Sequence, residues 1–234
     1  MELEKRDMVT FEAVKKNAEI RTYIEKGNAN LGVLGFTKHS NGHATKVSDT
    51  AAKILEELEY PARTVELARI AGYMHDIGNC VNRTDHAHNG AIMAMMILRD
   101  MGMKPDEIAT VIAAIGNHDE KTGTAVDAVS AALILADKTD VRRNRVRNTI
   151  KESFDKHDRV NYAAVASSLH VNVEKQVILL RYALADGVQR PQHEVGKILG
   201  ISRSYVSRIE KQALEKIRRA MEEEAGNGPG NVVK

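Results

Sequence analysis

Apolar positions recur at helical spacing along most of the N-terminal two thirds of this chain. Over residues 44–58 they fall at Val47, Ala51, Ile54 and Leu55, the interval of a helix with one buried face. Pro61 interrupts the pattern, and residues 64–74 resume it through Val65, Leu67, Ile70, Ala71 and Met74, with Gly78 marking the end of that helix. Residues 79–89 are polar and read as a loop that carries His86 and His88. Residues 91–101 predict an apolar helix. Pro105, Asp106 and Glu107 then make a good helix start, because proline tolerates the first turn and acids suit its dipole. The stripe Ile108, Val111, Ile112 and Ile115 continues to His118. Residues 128–136 are almost wholly apolar, predict a buried helix, and end at Asp137. The first 40 or so residues read as a helical lead-in and a loop before His43, whereas residues 171–180, rich in Val and Ile, are ambiguous between helix and strand. The fold class expected is all-α.

Candidate chemistry changes the picture, because metal-ligand residue types stand at the ends of several of these segments. His43, the doublet His75-Asp76, His86, His118 and Asp137 form an ordered set. Alone, His118 or His43 would read as a packed core histidine, and the joint pattern is what carries weight. Asp137 follows six apolar residues, and a buried carboxylate needs a cation beside it. Neutral imidazole and carboxylate suit divalent iron, manganese or zinc. Such an ion activates water and neutralises phosphoryl oxygens, so the set points to hydrolysis of a phosphate ester. Lys138, Arg142, Arg143, Arg145 and Arg147 follow Asp137, and Lys138, Arg142, Arg145 and Arg147 are candidates to hold substrate phosphate. His39, His88 and the second doublet His157-Asp158 read as loop or surface residues, and Cys80 as an ordinary cysteine near the site.

The segments Gly72-Tyr73-Met74-His75-Asp76-Ile77-Gly78, Ile115-Gly116-Asn117-His118 and Leu133-Ile134-Leu135-Ala136-Asp137 follow an upstream His43. In that order they resemble the HD superfamily of metal-dependent phosphohydrolases. The extra histidines are similar to the two-metal branch that cleaves diadenosine tetraphosphate and related nucleotides. The resemblance implies a helical bundle over residues 1–170. It implies a first metal on His43, His75, Asp76 and Asp137, and a second on His86 and His118 with Asp76 bridging. Asp76 and Lys138 then become the candidate catalytic residues. It also implies a phosphorylated small molecule as substrate.

Charge separates the two ends of the chain. The net charge is +2, yet residues 189–220 hold eight Lys/Arg against three Glu, and the rest is near neutral or acidic. A basic segment on a near-neutral body suggests a local nucleic-acid footprint. Gln192 to Glu210 fits a helix-turn-helix position by position: Gly196 is small where two helices cross, Gly200 permits a left-handed turn, and Ser202 caps the second helix. Val195, Leu199, Ile201, Val206 and Ile209 fall where the shared core needs apolar side chains. The second helix would present Arg203, Ser204, Ser207 and Arg208 to a major groove. This segment resembles region 4 of bacterial sigma factors. The resemblance, over about residues 174–220, implies promoter DNA and RNA polymerase as partners. The module is expected over residues 171–222 with a flexible tail over 223–234, and a homodimer would strengthen DNA binding because two half-sites add contacts. No other sigma region is visible, so promoter melting is not expected. The alternative function is an HD body that senses a ligand without turnover and regulates the helix-turn-helix. The junction near Leu169-His170-Val171 is abrupt. A lone cysteine, the lack of a signal-like N-terminus and the lack of an apolar run of about 20 residues lead to an expected cytoplasmic, membrane-free location.

Overall fold

The computed structural model describes residues 8–119, 123–165, 167, 169, 190–212 and 215. Among them every regular element is helical. The chain divides into two compact units, Met1–Leu169 and His170–Lys234.

The first unit is organised around two long helices. Helix α3 (Asn41–Glu57) and helix α4 (Ala62–Met74) are joined by a tight reversal in which Glu59 takes a left-handed backbone (φ 56°) before Pro61. They pack closely because Gly72 lets α4 approach the α3 backbone: a Cβ there would stand 2.7 Å from Ser48 Cα. Ser48 also donates its hydroxyl to the Arg69 carbonyl (2.7 Å), so a buried polar group is satisfied at the crossing. Val47, Ala51, Ile54, Leu55, Val65, Leu67, Ile70, Ala71 and Met74 are all buried, as their spacing predicted.

Helices α1 (Phe11–Lys16) and α2 (Ala18–Val33) replace the loosely read lead-in, with Asn17 capping α2 through its side chain. Helix α6 (Pro105–Gly116) begins with proline in its first turn, and its stripe Ile108, Val111 and Ile115 is buried. Helix α7 (Ala128–Thr139) packs on α3 and α4, and a short helix α8 (Lys156–Ala163) closes the unit.

Three expectations change. His86 does not lie in a loop: helix α5 spans His86–Asp100, starting after a left-handed Asp85 (φ 57°). Its first turn is polar and carries no side-chain cap, so no local signal announces it. Burial of His86, Ala87 and Gly90 against the preceding turn holds it instead. Gly78 does not cap α4, which ends at Met74; it sits inside a short 3-10 turn, Ile77–Cys80. It is glycine because a Cβ there would fall 2.1 Å from the His86 carbonyl oxygen and 2.5 Å from Gly90 N. Helix α7 runs past Asp137 to Thr139, and it is amphipathic and not wholly buried: Leu135 is 49% exposed. Residues 171–180 and 223–234 lie outside the described residues.

In the second unit, helix Gln192–Leu199 ends at Gly200, whose φ of 68° is the left-handed turn expected there. The next helix occupies residues 203–212. Ser202 Oγ accepts from Tyr205 N (3.1 Å) and caps it. Val195, Val206 and Ile209 form the buried core, with Leu199, Ile201 and Tyr205 packed on it. At Gly196 a Cβ would come within 2.8 Å of the Ile201 carbonyl, so the crossing depends on that glycine.

Candidate metal centre

Four helices deliver the ligand-type side chains to one place. His43 comes from the first turn of α3, His75 and Asp76 from the end of α4, His86 from the start of α5, and Asp137 from the last turn of α7. His118 lies just beyond α6. All but Asp137 are buried.

The tightest convergence involves four atoms. His43 Nε2 lies 3.5 Å from Asp76 Oδ2 and 3.2 Å from Asp137 Oδ1. His75 Nε2 lies 3.2 Å and 3.7 Å from the same two oxygens. A tetrahedral ion with ligands at about 2.1 Å holds its donors about 3.4 Å apart, so these atoms already stand at the edges of such a polyhedron. His43 Nε2, His75 Nε2 and Asp76 Oδ2 are buried without a hydrogen-bond partner. Buried polar atoms are rarely left so, and three at one point mark a place built for a cation. The donor set therefore fits a divalent ion.

Each imidazole is aimed by its other nitrogen. His43 Nδ1 lies 2.8 Å from Asp140 Oδ2, His75 Nδ1 2.8 Å from Gly72 O, His86 Nδ1 3.1 Å from Arg83 O and His118 Nδ1 2.6 Å from Ile115 O. An oxygen of that kind only accepts, so Nδ1 carries the proton and Nε2 offers its lone pair. The four rings follow one another edge to face with centroids 5.0–5.1 Å apart from His43 through His75 and His118 to His86. His86 Nε2 reaches Asp76 Oδ1 at 3.7 Å, so Asp76 stands between the two groups of histidines.

Three residues of the site were missed or misread in the sequence. His39 is not a surface residue: it lines the cleft, its ring meets that of His43 at 5.2 Å, and its Nδ1 lies 2.8 Å from the Thr37 carbonyl. It can share a metal-sized cluster with His43 and Asp76. Asp140 carried no motif, yet it is fully buried and holds His43. Arg83, in what read as a polar loop, lines the cleft beside His86. The spacing of Arg83 and His86, one helical turn apart, was the available signal.

The basic run after Asp137 divides. Lys138 lines the cleft. The other candidates for substrate phosphate are committed elsewhere. Arg142 forks onto Asp140 (2.6 and 2.9 Å), and Arg145 is buried and donates to the Asp140 carbonyl (2.6 Å) and to Lys38 O (3.1 Å). Arg147 donates to both the backbone and the side-chain oxygen of Asn28. Arg143 stacks over Tyr162 and donates to its carbonyl. These arginines tie the segment after α7 to the body of the unit, which a sequence run cannot reveal. His88 is exposed, as expected; His157 is exposed but Asp158 is buried, outside the cleft lining. Cys80 is half-buried with its sulfur against Met93, and burial raises its pKa.

Electrostatics reflect the crowding. Burial favours neutral His75, but Asp76 and Asp137 outweigh it and push its pKa up to about 10. His43 is likewise raised against burial by Asp137, Asp140 and Asp76. Burial would raise Asp76 and Asp137, yet the neighbouring imidazoles hold both well below the carboxylate range. His118, farther from the carboxylates, is lowered by burial to about 4. Without an ion, the carboxylates keep protons on His43 and His75, and an ion must displace them. Because the His75 pKa is raised, its proton is held at neutral pH and lost only as pH climbs toward about 10, and His43 is shifted in the same direction. Metal affinity is therefore expected to rise with pH from about 6 to about 9, by about tenfold per unit for each proton released. Metal titrations across that range check this, and a flat profile would contradict it.

Asp140 gives a second expectation. Asp140→Asn removes the charged acceptor behind His43 and frees Arg142. Metal affinity should fall about 10- to 100-fold, the usual size for a group behind a ligand. Calorimetric metal titration, with helix content followed by circular dichroism, separates this from unfolding; an unchanged affinity would mean His43 needs no orientation.

Comparisons with known proteins agree with this arrangement. The HD domain family matches residues 42–170, and the sigma-70 region 4 family matches residues 173–219. An uncharacterized protein of Methanocaldococcus jannaschii is 27% identical over 233 aligned positions, covering 86% of this chain and 89% of its own length. The RNA polymerase sigma-28 factor of Bacillus thuringiensis subsp. kurstaki is 57% identical over 44 residues, and so is the sigma-K factor of Bacillus subtilis. This chain spans 19% and 15% of the length of those two factors. A solved structure described as a predicted HD superfamily hydrolase from an uncultured Thermotogales bacterium is 23% identical, with 69% of this chain and 87% of that chain covered and a TM-score of 0.44. With three helices bringing His43, His75-Asp76 and Asp137 together inside the matched span, the chain belongs to the HD domain family and carries a sigma-70 region 4 domain at its C-terminal end.

Proposed function

We propose that the first unit is a metal-dependent phosphohydrolase acting on a nucleotide or another phosphorylated small molecule. The observation that carries this reading is the group of three buried, unpartnered donor atoms on His43, His75 and Asp76, closed by Asp137. When bound, a divalent ion supplies Lewis acidity toward a phosphoryl oxygen and ionises a water as nucleophile. The chain's own part is positioning. His43, His75, Asp76 and Asp137 hold the ion. Asp76 presents its second oxygen toward His86 and His118, which suits it to bridge a second ion. Lys138 and Arg83 bring positive charge to the same cleft for the rest of the substrate's phosphates.

We assign the second unit to DNA. Arg203, Ser204, Ser207 and Arg208 are all exposed on the helix of residues 203–212, where a groove could be read. The sigma-factor likeness makes promoter DNA and RNA polymerase its expected partners. The ligand-sensing alternative joins the two assignments: a nucleotide bound at the metal centre would then control the DNA module. Among the described residues no helix is long and apolar enough to cross a membrane.

The test of the enzyme is metal analysis of the purified chain followed by a hydrolysis screen over nucleotides and other phosphate esters. His75→Ala should remove metal and turnover together. Turnover that survives in a metal-free variant would sink the reading, and stoichiometric metal with no hydrolysis of any ester would favour the sensor.

DNA binding is expected to be weak and steeply salt-dependent, because the unit offers a small core and few base-reading side chains. Arg203→Ala should weaken binding to promoter-like duplex and lower the salt slope by about one. A salt titration of wild type and variant checks this; identical curves would leave Arg203 without a role at the DNA.

A further inference from the structure

The two halves of the metal centre are not equivalent. His43 Nε2, His75 Nε2 and Asp76 Oδ2 have no hydrogen-bond partner. His86 Nε2 does have one: Arg83 Nη1 stands 3.2 Å away. His86 Nδ1 faces the Arg83 carbonyl at 3.1 Å and so carries the ring proton. The lone pair on Nε2 is thus the acceptor for a guanidinium that can only donate. An ion at His86 needs that same lone pair. Arg83 and a second metal therefore compete for one atom, and their like charges add to the exclusion.

Among the described residues, the other hydrogen bond of Arg83 is to Asn79 Oδ1 at 3.3 Å, and its guanidinium lies 5.6 Å from the centre of the Phe36 ring, which is 39% exposed. Asn79 stays behind in any case, anchored to Asp76 Oδ1 at 2.7 Å. Once displaced, the guanidinium remains on the wall of the cleft that Lys138 also lines.

We propose that Arg83 occupies the second metal position until an ion displaces it, and that the displaced guanidinium then binds the substrate's phosphate. This rests on the metal-centre reading above. Among the described residues no side-chain hydrogen bond has to be broken at His43 Nε2, His75 Nε2 or Asp76 Oδ2 for the first site to fill. The second fills only by breaking the Arg83–His86 contact, so filling it exposes a forked phosphate donor beside the ions.

The test is a titration of the full chain with manganese(II), followed by inorganic phosphate. Wild type should show a tight first step and a weak second one. Arg83→Met should tighten the second step on the order of tenfold to hundredfold, the effect of removing one hydrogen bond from a charged group, and leave the first unchanged. Arg99→Met, which removes an exposed charge elsewhere on α5, should change neither. With both sites filled, phosphate should bind the Arg83→Met protein more weakly than wild type. An unchanged second step would overturn the competition, and unchanged phosphate affinity would overturn the role given to the released guanidinium. The absence of any first step in wild type would overturn the phosphohydrolase reading as well, and the first step reports it separately. The first step also serves as the folding control, since its ligands come from separate helices.

Discussion

Two carboxylates aimed at the same pair of imidazoles, one buried and one on the wall of the cleft, are the constraint around which the first unit is arranged. Asp76 and Asp137 both lie within 3.7 Å of the same pair of imidazole nitrogens. Bringing like charges out of water is costly unless a cation stands between them. In the chain by itself the protons held on His43 and His75 supply that positive charge; a divalent ion would do the same work. The close helix crossings serve this arrangement. Gly72 and Gly78 admit backbones that a Cβ would hold apart, and so bring the end of α4 against α3 and the start of α5. His75-Asp76 lies between these two glycines.

Behind the ligands sits a second polar knot, and Asp140 is its centre. One buried carboxylate fixes His43, takes a forked contact from Arg142 and neighbours Arg145. Burial would raise Asp140, but His43 and Arg142 hold it down to about 2, so it stays ionised behind the imidazole. That explains why a run of arginines follows the last ligand without facing the cleft. The charge of Arg142 and Arg145 is used inside the fold beside a buried acid, Arg143 and Arg147 are taken up by Tyr162 and Asn28, and the cleft itself is lined by Lys138 and Arg83.

Much of this was legible in the sequence and some of it could not be. The helices with strong apolar periodicity, α3, α4, α6 and α7, stand within a few residues of where their stripes put them. The six ligand-type residues were found because their order and their neighbours are distinctive, and the structure brings them together. Helix α5 begins earlier than its apolar part because burial, not propensity, fixes its first turn. His39 was set aside since a loop histidine before a helix looks solvated; only the approach of α3 to the other ligands carries it into the cleft. The arginines failed for a different reason. Proximity in sequence to Asp137 says nothing about direction, and the chain turns away after Thr139. The helix-turn-helix was read almost residue by residue, because its core is local and Gly196, Gly200 and Ser202 each answer a local geometric demand.

Under the functions proposed, both units bind phosphate, and they do so by opposite means. The first is near neutral, so long-range attraction contributes little, and affinity must come from ions and a few aimed donors in a confined cleft, where electrostatic interactions are strong. The second carries eight Lys/Arg against three Glu between residues 189 and 220 and meets a polyanion with dispersed, exposed charge that salt screens. The match to the Methanocaldococcus protein covers so large a share of this chain that it must run across the boundary between the units. The sigma-28 and sigma-K factors, by contrast, match over only 44 residues, at more than twice that identity, and the sigma-70 region 4 family covers residues 173–219. The core of the helix-turn-helix is Val195, Val206 and Ile209, while Arg203, Ser204, Ser207 and Arg208 stand exposed on the second helix, Arg208 stacked over Tyr205. Under the DNA assignment these exposed side chains are the ones a groove would meet, so the core sets the angle of the helix and the surface supplies the contacts.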